Sequence, residues 1–418
     1  MPYLRRANQP EPKMKRAFQL EDFISRHVTK RDKSLTYYDV VANDPVLRSR
    51  IEDRRVLVIG GAGSIGSAFI KAMLPYNPAA LVVVDINENG LTELTRDLRS
   101  THELLVPPVF LTYPMSFDAP VFERMFRQEG PFHIVANFAA HKHVRSEKDR
   151  FAIEAMLENN VLQAKHLLDL LVQFPPERFF CVSTDKAANP ANVMGAGKKL
   201  MENLLLAYAD RLPVTTARFA NVAFSNGSLP DGFLQRIAKN QPLSAPKDIR
   251  RYFVSPREAG EICLLACVAG EPGNIFFPKL DESQLSAFTD IAIALLHELG
   301  YKIDYCHSED DAREKAARYL PDADYYPVYF FDSDTSGEKP FEEFVTEGES
   351  ARMDVFQSLG VIAAKAPHSL PEIEAQLDRL REAFLSTDTD KSDLVALMRD
   401  LIPTFSHIET GKSLDQKM

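Results

Sequence analysis

No apolar run in this 418-residue chain approaches the roughly 18 residues that a membrane span needs. The start, Met1-Pro-Tyr-Leu-Arg-Arg6, lacks the apolar core of a signal peptide, so a cytosolic protein is expected. Cysteine is scarce too. Cys181 falls in a strand-like run, Cys263 and Cys267 share a helix face, and with Cys306 none has zinc-knuckle spacing, which reads as free thiols. His141-Lys142-His143 has no carboxylate or third histidine at a helical spacing, so no metal is expected. Positive charge is in deficit: 49 Lys and Arg against 59 Asp and Glu give a formal charge of -10. That balance excludes the phosphate-neutralising surface of a nucleic-acid binder. Internal repeats and low-complexity segments are absent as well.

What is present is ordinary for a globular protein, 45% hydrophobic and 26% charged, at a length that exceeds one core. Residues 1–50 mix basic clusters (Arg5-Arg6; Lys13, Lys15 and Arg16; Lys30-Arg31) with Glu21, Asp22 and Asp32, and read as an arm with short helices packed on the body or a neighbouring subunit. From Arg55, β-branched runs at Val56–Ile59, Leu81–Val84, Val109–Leu111, Ile134–Asn137, Phe179–Ser183 and Val214–Phe219 read as strands. Helical stretches lie between them at Ser64–Leu74, Leu91–Arg99, Val121–Arg127, Ile153–Leu171 and Lys198–Tyr208. Strand and helix alternating at this pace predicts βαβ units and a doubly wound parallel sheet, an α/β fold. After Asn221 the regularity breaks, as expected of a smaller domain closing over the carboxyl ends of the strands. Residues 282–300 read as one more helix, followed by an acidic helix, the aromatic run Tyr325–Phe331, a polar turn and a charged C-terminal helix pair. The expected organisation is 1–50 as an extension, 51–220 as a dinucleotide-binding domain, 221–330 as a substrate-binding region interleaved with the sheet, and 331–418 as a second extension.

The turn Gly60-Gly61-Ala62-Gly63-Ser64-Ile65-Gly66 follows a hydrophobic strand and opens a helix. In that context Gly60, Gly63 and Gly66 are expected to give a tight turn that lets backbone N–H groups and the helix N-terminus, at Ser64 and Ile65, reach a pyrophosphate. Asp85 ends the second strand about 20 residues on, where a carboxylate accepts ribose hydroxyls and repels a 2′-phosphate, favouring NAD over NADP. The blander reading makes Asp85 a helix cap. Asn137 and Ala139, at the end of the fourth strand, are expected to border the cofactor.

The fifth strand delivers Thr184, Asp185 and Lys186 to the same crevice, and Met194 and Lys198 share a face of the next helix. A thioether has no exchangeable proton, so Met194 cannot act as acid or base. Singly, Asp185 and Lys186 read as a loop ion pair and Lys198 as a solvated lysine.

Together with Ala140-His-Lys142-His-Val144, Asn160-Val161, Arg218-Phe-x-Asn221-Val and Arg251-Tyr-Phe253, these motifs resemble the nucleotide-sugar 4,6-dehydratases of the extended short-chain dehydrogenase/reductase group. The resemblance spans about residues 55–280. Residues 281–418, including Ser333-Asp-Thr-Ser-Gly-Glu-Lys339, look most like the legionaminic-acid-pathway branch. It implies a resident NAD and UDP- or GDP-N-acetylglucosamine as substrate. By position, Lys186 is the C5 base, Asp185 the acid for the departing C6 hydroxyl, and Thr184 the partner of the C4 hydroxyl. Met194 stands where other group members carry a catalytic tyrosine and packs on sugar or nicotinamide, while Lys198 holds the nicotinamide ribose. Lys142, Arg218, Asn221, Asn226 and Arg251 are implied substrate contacts, Arg218 and Arg251 through bidentate phosphate binding; Arg251 can alternatively pair with Asp248. Where an acidic-hydrophobic pair usually holds adenine, this chain has Tyr113-Pro-Met115-Ser116. A homo-oligomer paired through helices flanking the sheet is expected by resemblance. Two other readings stay open, an NAD-dependent C4 or C5 epimerase and a non-catalytic NAD-binding protein.

Overall fold

The computed structural model describes residues 18–143, 147–318, 324–333 and 342–408. The basic clusters before residue 18, Val144, and the polar turn beyond Ser333 lie outside them. The strands are β1 (Arg55–Ile59), β2 (Ala80–Asp85), β3 (Val109–Pro114), β4 (Ile134–Asn137), β5 (Arg178–Val182), β6 (Val214–Ala217), β7 (Asn221–Val222), β8 (Leu243–Pro246), β9 (Arg250–Val254) and β10 (Asn274–Pro278), then β11 (Leu285–Ala287), β12 (Lys302–Tyr305), β13 (Tyr325–Phe331), β14 (Ala351–Arg352) and β15 (Leu359–Ala363). Nine of them form one sheet in the order β14-β15-β10-β6-β5-β4-β1-β2-β3. From β10 to β3 every pairing is parallel, while β15 and β14 add antiparallel.

This is the doubly wound fold the alternating pattern predicts. Its strands β1, β2, β4 and β5 are almost wholly buried because helices cover both faces. Ser64–Met73, Glu88–Ser100 and Pro256–Ala269 pack one side, and Pro120–Glu129, Arg150–Gln173 and Val193–Ala207 the other. The order reverses between β1 and β4, which opens the crevice at their carboxyl ends.

Three departures from the sequence reading matter. Residues 282–300 are not one helix: Leu285–Ala287 is β11, antiparallel to β9, and the helix starts at Phe288. The stretch after 331 is no separate appendage, since it contributes β14 and β15 to the main sheet. Its helices Leu370–Leu385 and Lys391–Leu401 pack on Val193–Ala207, and the second also on Arg150–Leu157, covering that face of the sheet. The helix read as Ile153–Leu171 carries a π-turn at Glu158–Leu162. Within that turn the buried Asn160 amide accepts from His141 N (2.8 Å) and donates to His141 O (2.9 Å), clamping the loop after β4.

A third apolar cluster, with Phe233, Leu243, Phe253 and Val328, holds the smaller region, and Phe23, Ile24 and Val28 of the N-terminal arm complete it. The arm therefore packs on its own chain. Arg31 of that arm forks onto Glu258 at 2.7 and 2.8 Å. Among the described residues no helix is long and apolar enough to cross a membrane.

Candidate active site

Two cavities lie at the carboxyl end of the sheet and abut. The consecutive residues His141 and Lys142, and Asn226 and Gly227, line one each. The smaller, about 220 Å³, is walled by Gly60, Gly63, Asp85, Phe138 and Ala139. Gly60 has φ of +72°, and a Cβ there would lie 2.5 Å from the Ala139 nitrogen, so only glycine lets β1 and β4 approach this closely. At Gly66 a Cβ would meet Gly61 Cα at 2.8 Å, which shuts the turn against the helix. Asp85 is fixed by two backbone donors, Ala62 N at 3.0 Å and Asn87 N at 2.9 Å. The next helix is capped instead by Asn87, which accepts from Gly90 N at 2.9 Å. Asn137 accepts from Ala139 N at 3.0 Å and shapes the loop from below. Ser64 Oγ accepts from Asn226 N at 2.8 Å, whereas Ile65 packs into the core beneath the turn. Met115, Ser116 and Phe117 wall the cavity next to Asp85, where Met115 N donates to Asp85 O at 3.1 Å. An open glycine cradle, a helix N-terminus and a strand-end carboxylate are the donor and acceptor set that NAD requires, and the cradle fits it.

The larger cavity, about 730 Å³, is within the roughly 300–1,000 Å³ range of small-molecule sites. Lys142, Lys186, Asn221, Arg236 and Lys239 line it, with Asp231 as the acid among them. Lys142 keeps contact with solvent, but the surrounding protein desolvates its ammonium and lowers its pKa, against the pull of Asp231. Arg236 and Lys239, on and just past the helix Leu229–Ala238, are cavity cations the sequence reading did not single out.

Of the chemistry-bearing triplet, Lys186 reaches the cavity wall and Asp185 is buried. Thr184 Oγ1 donates to Asp185 Oδ1 at 2.8 Å, and Lys186 Nζ lies 3.2 and 3.3 Å from the two carboxylate oxygens. The following helix starts at Val193, earlier than the sequence reading, because Asn192 caps it (2.8 Å to Gly195 N) and Glu147 accepts from Val193 N at 2.6 Å. Met194 and Lys198 are buried in that helix. Lys198 donates to Val182 O, the last carbonyl of β5, at 3.1 Å, and burial lowers its pKa.

Arg218 is not in either cavity. Its guanidinium is fully buried and spends all five donors on Glu202 (2.8 and 3.0 Å), Glu349 (2.6 and 2.7 Å) and Phe344 O (2.7 Å). No donor remains for a phosphate, so this residue is an internal anchor. Arg251 pairs with Glu342 (Nε to Oε1, 3.5 Å) rather than Asp248, whose carboxylate instead accepts from Ser333 N. Asn221 donates to the same Glu342 oxygen. Glu342 is a site residue that sequence reading missed; its one signal was an acidic pair flanked by phenylalanines, Phe341-Glu-Glu-Phe344.

Residues 56–363 match the family model described as polysaccharide biosynthesis protein. The chain belongs to that family. It is 30% identical over 318 residues to an uncharacterized membrane protein of Methanocaldococcus jannaschii, covering 74% of this chain and 86% of that one. It is 26% identical to the UDP-N-acetylglucosamine 4,6-dehydratase (inverting) of Campylobacter jejuni, over 60% of this chain and 73% of the relative. The chain spans about half the length of two other relatives, the polysaccharide proteins EpsC of Bacillus subtilis (51%) and CapD of Staphylococcus aureus (54%). Among solved structures, Pen from Bacillus thuringiensis superposes with a TM-score of 0.61 at 19% identity, over 77% of this chain and 91% of that one, which shows the shared fold.

Proposed function

We propose that the chain is an NAD-dependent 4,6-dehydratase of a nucleotide-activated N-acetylglucosamine, giving the 4-keto-6-deoxy sugar for surface-glycan or nonulosonic acid synthesis. The observation that carries this reading is the Thr184–Asp185–Lys186 cluster beside the larger cavity, in a site whose helix offers Met194 where a phenol would serve. Bound in the cradle, NAD supplies the hydride acceptor at C4 and returns that hydride to C6, with no net consumption.

The protein's own part is proton handling. Thr184 holds the C4 hydroxyl, whose oxidation makes the C5 proton acidic. A carboxylate and an ammonium at 3.2 Å hold the same number of protons as a carboxylic acid and an amine, and one transfer across that hydrogen bond interconverts them. In the second form the Lys186 amine takes the C5 proton and the Asp185 acid protonates the C6 oxygen. The C5–H and C6–O bonds break and water leaves; the Lys186 ammonium then returns a proton to C5 as C6 is reduced, and the proton given up by the C4 hydroxyl on oxidation, released past Thr184 to solvent, balances the solvent proton that restores the starting ion pair. Lys198 orients the nicotinamide ribose, and Met194 packs without exchanging a proton. Lys142, Arg236 and Lys239 supply the basic lining a diphosphate requires, Asn221 and Asn226 add neutral amides at the wall, and Arg251, paired with Glu342, stands behind it.

A C4 epimerase is the second reading, since relatives at 28% identity include a UDP-glucose 4-epimerase of Rickettsia canadensis. Epimerisation leaves the C6 oxygen in place and has no use for a paired base and acid. Mass spectrometry of the turned-over nucleotide sugar separates the two: loss of one water supports dehydration, and an isobaric product overturns it. Residues 281–418 resemble the legionaminic-acid branch, which supports that product fate. Self-association, expected from the family, has to use a surface other than the helix face that Leu370–Leu401 covers.

A further inference from the structure

We propose that Glu342 is a positioning residue of this acid–base site: its buried carboxyl, held by Asn221, Arg251 and Tyr252, sets the charge against which Asp185 and Lys186 exchange their proton. The proposal rests on the dehydratase reading and assigns a role to a stretch of chain that motif reasoning leaves idle.

The segment Glu342–Glu349 crosses the carboxyl end of the sheet and is pinned along its length. Glu343 accepts from Asn189 at 3.0 Å, Phe344 stacks on Phe277 at 5.9 Å between ring centroids, and Glu349 closes on Arg218. Two carboxylates of this one segment meet opposite environments. Glu349 is partly buried, but the Arg218 guanidinium and Lys199 outweigh burial and hold its pKa at about 2, as an anchoring ion pair should. Glu342 meets one guanidinium at longer range: Arg251 Nε lies 3.5 Å from Oε1 while its Nη1 donates to Arg250 O at 2.9 Å, and Tyr252 N donates to the other oxygen at 3.3 Å.

The groups facing it are Asp185 and Lys186 from the turn after β5, Arg251 and Tyr252 from β9, and Asn221 from β7. Burial first, then the negative charge of Asp185, push the Glu342 carboxyl up to about 7, against the pull of Arg251 and Lys186. A carboxyl that only braced the fold would be better served by the Glu349 arrangement; one that adjusts neighbouring proton affinities has to stay poised. Because Asn221 stands between Glu342 and the cavity, Glu342 acts through the pair and not on the substrate. The Asp185 charge acts on Glu342 more strongly than the Lys186 charge does, so an ionised Glu342 repels a carboxylate at Asp185 more than it holds the ammonium at Lys186 and favours the form in which the shared proton sits on Asp185.

The test uses the full chain with carboxyl-13C glutamate, the Glu342 signal being assigned by its loss in Glu342→Gln. We expect that carboxyl to titrate near pH 7, and its midpoint to fall by about one pH unit in Asp185→Asn, the scale of one removed neighbouring charge. Titration in the ordinary glutamate range, or a midpoint indifferent to Asp185→Asn, overturns the proposal. In Glu342→Gln the pH profile of kcat should move to lower pH, because the negative charge that favours the proton on Asp185 is gone, with NAD affinity unchanged. A drop in kcat with an unmoved profile means a bracing role only and also overturns it. The carboxyl titration needs no turnover, so absence of a dehydrated product would sink the dehydratase reading while leaving this result legible.

Discussion

The Lys186 ammonium lies 3.2 Å from Oδ1 and 3.3 Å from Oδ2 of Asp185, close enough for the proton transfer that the proposed elimination requires between base and acid. Thr184 Oγ1 meets the same carboxylate at 2.8 Å, and the three side chains work as one unit. Met194 stays outside it, buried in the next helix.

That division predicts unequal mutants. Asp185→Asn removes the proton donor for the C6 oxygen and should slow single-turnover formation of the 4-keto product by about 10²–10⁴-fold, the usual contribution of an acid–base group. Met194→Ala loses packing alone and should cost markedly less with NAD saturating. Equal losses would mean that methionine positions the hydride directly, and the assignment of roles would fall.

On the proposed reading Asp85 sets cofactor choice. Asp85→Ala removes a charged acceptor and frees Ala62 N and Asn87 N of the turn, so NAD binding should weaken by about 1.5–3 kcal/mol, the scale of a charged hydrogen bond. Calorimetry showing undiminished NAD affinity would exclude Asp85 from the cofactor site.

Much of this was legible in the sequence because its causes are local. β-branched runs mark β1 to β6, and the glycine turn and Asp85 sit at the ends of two adjacent strands, where neighbours in sequence decide the geometry. What escaped depends on distant partners. Arg218 in a motif reads as a phosphate ligand, but Glu349, 131 residues on, turns it inward. Glu342 joins Asn221 across 121 residues with no periodicity to announce it. Leu285–Ala287 reads as helix until β9 is there to pair with it.

The buried Arg218 gives a stability prediction. Arg218→Met leaves the buried Glu202 with Lys199, at 3.6 Å, as its counter-ion and should destabilise the fold by about 3–5 kcal/mol, read as a lowered denaturation midpoint. A midpoint equal to that of the native chain would show that the Glu202–Arg218–Glu349 network carries no stability.

Glu349 adds a pH dependence. Its folded pKa of about 2 lies below the unfolded value of about 4.3, so its contribution is complete above that value and is lost as pH falls toward 2. Glu349→Gln should be less stable at neutral pH and lose less stability over that acid window. Parallel acid-denaturation curves for the two proteins would contradict the assignment.

The central claim is tested most directly by turning over UDP- and GDP-N-acetylglucosamine in D2O and reading the products by NMR and mass spectrometry. The account predicts a 4-keto-6-deoxy sugar one water lighter, with solvent deuterium at C5, protium carried from C4 to C6, and no product from Lys186→Ala. An isobaric 4-epimer, or a dehydrated sugar with no deuterium at C5, would contradict it.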